Sequence, residues 1–164
     1  MLLTRLRRLA PIVLALCATA AVASATDFHV GHLTIQHAWI RPTGPGAPTA
    51  AGYLTIVNRG KTPDRLVGAA TAWAAQSELH QTVIAHGVMT MQALPAGVAI
   101  PPGGSVSFRP ESYHIMFVHP SRQARAGDHV HVTLTFAHAG RVPVDFVVEA
   151  GGAAPMPSML KGHM

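Results

Sequence analysis

Residues 113 to 118 read Tyr-His-Ile-Met-Phe-Val, an apolar run that carries an imidazole and a thioether two positions apart. Side chains alternate along a strand, so His114, Met116 and Val118 share one face and Tyr113, Ile115 and Phe117 the other. Met89 and Met91 form a second pair at the same spacing, and ten residues separate His80 from Met91. Thioether sulfur is a poor ligand for Zn²⁺ and a good one for Cu(I), and imidazole suits both. Two Met and two His without cysteine or carboxylate would therefore select copper, chiefly as Cu(I). A blue-copper centre is excluded, because that chemistry needs a thiolate. Spacing alone leaves two readings open: a copper site, or histidine and methionine that only pack in a β core. Met89 by itself reads as core or rim filler.

These residues need a framework, and the chain supplies one made of short strands. Turn signals recur at Arg41–Pro48, Asn58–Gly60, His86-Gly87, Pro101–Gly104, Arg109-Pro110, Ala126-Gly127 and Ala139-Gly140. Between them lie β-type runs near His32–Ile40 and at Ala51–Asn58, Glu78–Ile84, Val88–Leu94, Ser105–Phe108, Tyr113–Val118, His129–Phe136 and Val142–Glu149. Glu78–Ile84 and Val88–Leu94 predict a hairpin around Ala85–Gly87. Ala69–Ala75 is alanine-rich and suits a single turn. The expected fold is all-β, an antiparallel two-sheet sandwich or Greek-key barrel.

The ends differ from the middle. Arg5, Arg7 and Arg8 precede an apolar stretch from Leu9 to Val22 and the small residues Ala23-Ser24-Ala25. That pattern predicts a signal peptide over residues 1–25 and an exported, periplasmic protein. The stretch is short for a membrane span. Cys17 follows Leu16, where a lipoprotein box calls for a small residue. With residues 1–25 removed, the formal charge falls from +5 to +2 and no cysteine remains. The absence of a basic cluster interleaved with aromatics argues against nucleic-acid binding. Residues 26–150 form the expected domain. Residues 151–164 read as a flexible tail that carries Met156, Met159, His163 and Met164.

Other histidines read differently. His129 and His131 share the polar face of a strand whose other face is Val130, Val132, Leu134 and Phe136, so they belong to the solvated surface. His86, His119 and His138 fall in turns or at strand ends. His29 would bind Cu(II) with a free amine only if processing left it third in the chain. No Ser/His/Asp arrangement is evident, the carboxylates are scattered, and Glu111 reads as a loop residue.

Taken together, Ala38-Trp-Ile-Arg-Pro42 with Pro45–Asn58, Glu78-Leu-His80 with Gly87-Val-Met-Thr-Met91, and Ile100–Gly104 with Tyr113–Met116 resemble the PCu(A)C family of periplasmic copper chaperones. The resemblance covers about Leu33 to Ala150. It implies a cupredoxin-like sandwich and places the family's metal motif on His80, Met91, His114 and Met116. Gln81 stands where the family often has Met, and the Met91-to-His114 spacing runs slightly long, so Met89 stays an alternative to Met91. The resemblance further implies a monomeric carrier of Cu(I), not an enzyme. Its partner would be a copper-accepting protein, either a cytochrome c oxidase subunit or a Sco-type chaperone. The tail resembles extensions that hold a second copper, often Cu(II). The rival readings are a copper buffer or resistance protein, a copper enzyme, and a metal-free β-sandwich adaptor.

Overall fold

The structure is a computed structural model that describes residues 27–150. The segment read as a signal peptide, and the tail with Met156, Met159, His163 and Met164, lie outside the described residues. Within them the chain forms eleven strands: β1 Phe28–Val30, β2 Leu33–Ile40, β3 Thr49–Asn58, β4 Asp64–Ala70, β5 Ala74–Ala85, β6 Val88–Ala93, β7 Val98–Ile100, β8 Ser105–Phe108, β9 Tyr113–Pro120, β10 His129–Phe136 and β11 Gly140–Val148.

Alternation explains the strands that shape the site. In β9, Ile115 and Phe117 are fully buried, while Met116 and Val118 between and beyond them are only partly covered. In β10, Val130, Val132, Leu134 and Phe136 point into the core and His129 and His131 point out. The hairpin between β5 and β6 turns at His86-Gly87, both with positive φ, which is what a two-residue turn needs to follow strand twist.

The strands hydrogen-bond in the order β6-β5-β9-β8-β3-β2-β11-β10-β4-β7, with β1 attached to β2. The path folds over itself, and its two halves bury one apolar cluster between them. Phe117 of β9 meets Phe146 of β11 edge to face at 6.4 Å, and Trp73 packs on Phe117 at 5.6 Å. Gly52 allows this approach, because a Cβ there would lie 2.7 Å from the Phe117 ring.

Three features differ from the expectation. The sheet is open, ending at β6 and β7, so the barrel alternative does not hold. It is mixed, since β2 runs parallel to β11 and β8 parallel to β9. Ala69–Ala75 contains no independent turn of helix. It spans the end of β4, a tight turn at Ala72-Trp73 and the start of β5. Backbone pairing of β4 with β10 overrides the weak β propensity of its Gly68-Ala69-Ala70 end.

Candidate metal centre

β5 and β9 run antiparallel, in a register that sets His80 opposite His114 and Glu78 opposite Met116. Leu79 and Ile115 form the pair between them on the opposite face, buried in the core. The same register thus fixes the imidazoles from behind. β6 pairs with the far side of β5 and sets Met91 opposite Thr82. Cross-strand partners share a face, so His80, Thr82, Met91, His114 and Met116 lie on one surface.

Both histidines are buried, and their rings lie 5.7 Å apart at a steep angle. Each ring has one nitrogen tied back. Nδ1 of His114 donates to the Ser112 carbonyl at 3.2 Å, because a carbonyl can only accept. Nε2 of His80 lies 2.8 Å from the Glu78 carboxylate and donates to it. The nitrogens left over, Nδ1 of His80 and Nε2 of His114, are buried and have no hydrogen-bond partner among the described residues. A buried, unpaired acceptor costs about 1–3 kcal/mol unless something occupies it. A second hydrogen bond that fixes tautomer and orientation is also what metal-binding histidines ordinarily show. Burial, above all, and the neighbouring His80 ring push the His114 pKa below its ordinary value, with the Ser112 bond opposing them. The ring is therefore neutral, with a free lone pair, at neutral pH.

In front of the histidines lies a cleft of about 310 Å³, walled by the Arg41–Gly44 turn, the start of β3, Met91, His114 and Met116. Met116 is partly buried and Met91 is more than half exposed. His80 stands beside His114 across the β5–β9 ladder and does not line the cleft. Met89 does not line it either, since it pairs with Ile84 one step nearer the hairpin tip. The structure thus brings Met91, His114 and Met116 around one opening, sets His80 next to His114, and leaves Met89 outside.

Two contributors escaped the sequence reading. Glu78 was readable from its i, i+2 spacing to His80, which puts both on one face. The Ser112 carbonyl was not, because a backbone acceptor leaves no trace in residue type. His129 and His131 are exposed, as expected, and so are His86, His119 and His138. Glu111 lies in the turn before β9 with φ of 66°.

Residues 33–148 match the family described as "Putative lipoprotein LpqE-like". The chain belongs to this family. The LpqE-like domain is 33% identical over 110 residues to "Putative lipoprotein Lxx21020" of Leifsonia xyli, an alignment that covers 67% of this chain and 65% of that protein. The matched part thus spans just under two thirds of that relative. Among solved structures, the copper-bound PCuAC domain from PmoF2 superposes with a TM-score of 0.66 and 29% identity, covering 76% of this chain and 98% of that one. The CuI-DR1885 structure from Deinococcus radiodurans superposes at 0.59 and 27%, covering 80% of this chain and 84% of its own. The fold is thus that of PCuAC domains, in agreement with the resemblance read from sequence.

Proposed function

We propose that this LpqE-like domain carries Cu(I) on His80, Met91, His114 and Met116 and passes it to a partner protein. The observation that supports this most is the pair of buried imidazoles, each with one nitrogen tied back and the other without a partner among the described residues, beside two thioethers. Two neutral imidazoles and two thioethers contribute no charge, so they favour the monovalent, soft state of copper. His114 needs to lose no proton to bind near neutral pH. Glu78 and Ser112 hold the two rings in opposite tautomers, which turns different nitrogens toward the metal. The absence of an anionic ligand keeps the complex exchangeable, and the exposure of Met91 leaves an approach for an incoming ligand. Such a domain is a carrier and not a catalyst. Copper-bound PCuAC structures among its structural neighbours support the cargo. The basic and then apolar pattern of residues 1–25 supports export to the periplasm. Delivery toward a cytochrome c oxidase copper centre, directly or through a Sco-type chaperone, follows from the PCu(A)C resemblance.

The test is a Cu(I) titration of the full chain against a chromophoric chelator, beside the variant His114→Ala/Met116→Leu. Removing two of four ligands is expected to weaken binding at the tight site by about 100-fold or more, in line with 10–100-fold for lesser changes around metal sites. Equal binding by parent and variant would return both residues to a packing role.

A further inference from the structure

A second pair of histidines lies on the other half of the sandwich. His129 and His131 sit two apart on the outer face of β10, and β11 places Asp145 directly across from His131. Nδ1 of His129 contacts one carboxylate oxygen of Asp145, and Nδ1 of His131 lies 2.9 Å from the other. The first contact is an aligned hydrogen bond. The second is not, and Oδ1 of Asp145 is buried without a hydrogen-bond partner among the described residues although a ring nitrogen stands beside it. Thr71 donates to the carbonyl of His131 at 2.8 Å and fixes the backbone at that position. Arg141, the basic residue on the same face of β11, lies opposite Thr135, two cross-strand pairs away.

We propose that His129, His131 and Asp145 form a separate metal site that takes a borderline divalent cation, Cu²⁺ ahead of Zn²⁺. Two imidazoles and a carboxylate suit those ions, and the order follows the general affinity series for nitrogen and oxygen donors. No thioether is present, so nothing here favours Cu(I). Among the described residues no group of three His, Cys, Asp or Glu side chains holds a metal-ready arrangement as placed. The adjustment required is small in kind. Both rings are exposed, His131 at 90% and His129 at 59% of its side chain, and are free to turn about their own torsions. A ring that takes the metal through Nδ1 carries its one proton on Nε2. Water completes the coordination on the open side.

The test is Cu²⁺ titration of the full chain, followed by electron paramagnetic resonance, on the parent, His129→Gln/His131→Gln and His114→Ala/Met116→Leu. One Cu²⁺ equivalent with coupling to two nitrogens is expected to vanish in the first variant and persist in the second. An equal number of Cu²⁺ equivalents in the parent and the first variant would overturn the proposal. As a check independent of mutation, Zn²⁺ added to the unaltered protein should shift the amide resonances of Val130, Val132 and Phe146. Unmoved resonances at saturating zinc would overturn it as well. Cu(I) binding enters neither readout, so the fate of the cleft reading leaves this one untouched.

Discussion

The molecule holds two histidine pairs on strands, and they differ in nearly every respect that governs what a histidine does. His80 and His114 face each other across a ladder, are buried, and each gives one proton to a fixed acceptor. His129 and His131 follow one another along a single strand, are exposed, and share one carboxylate. The first pair is pre-set, with its tautomers chosen before any ligand arrives. The second must be organised by whatever binds it. Thioethers stand beside the first and oxygen beside the second. The same side chain thus suits a soft monovalent ion in one place and a borderline divalent ion in the other, through its neighbours alone.

The largest expected effect separates the pairs outright. His80→Ala should weaken Cu(I) binding about 100-fold, toward the upper end for metal-site changes, while His129→Ala should leave Cu(I) binding unchanged. Chelator competition reads both, and a comparable loss in the two would dissolve the contrast. Next comes the rigidity behind the buried pair. Gly52→Ala places a methyl against the Phe117 ring and should cost about 1–3 kcal/mol of stability by overpacking. An unchanged thermal midpoint would show that the layer behind β9 yields easily. Met91→Leu should weaken Cu(I) binding about tenfold, and Met89→Leu should leave it within about twofold. The reverse order would move the ligand to the hairpin tip.

The smallest effect concerns protons. The His114 pKa is lowered in the folded protein, so the unfolded chain takes up this proton first as pH falls. Stability contributed by the neutral ring is whole above the ordinary histidine value of about 6.5 and is lost as pH drops from there toward the folded value. The unfolding free energy of the metal-free protein, read by denaturant, should therefore fall more steeply for the parent than for His114→Gln over about one pH unit either side of 6.5. Parallel curves would mean that burial does not penalise the imidazolium.

Much of this was legible in the sequence, and the remainder has identifiable causes. The alternation in Tyr113–Val118 and His129–Phe136 gave both strands and both faces, because one side of each must be apolar. The His86-Gly87 turn was readable because few residues tolerate its backbone. β1, β4 and β7 were not anticipated. They are short or weak in β-branched residues, and they exist because a partner strand takes up their hydrogen bonds. The parallel pairings of β2 with β11 and of β8 with β9 join segments whose register no local pattern encodes. At the site, residue types indicated His114, Met116 and a methionine of the hairpin. Choosing between Met89 and Met91 as neighbours of the cleft needed the β5–β6 register.

One strand of the site stands apart from the others. Among the described residues β6 ends the sheet, hydrogen-bonds only to β5, and has all six of its residues exposed. Edge segments with few buried contacts open locally at a small fraction of the global unfolding free energy. Amide exchange along Val88–Ala93 should accordingly run ahead of that along Ile115–Val118, which lies between two partner strands. On the proposed reading, a carrier whose outermost ligand rides on an edge strand can loosen its grip without disturbing the strands that hold the two imidazoles.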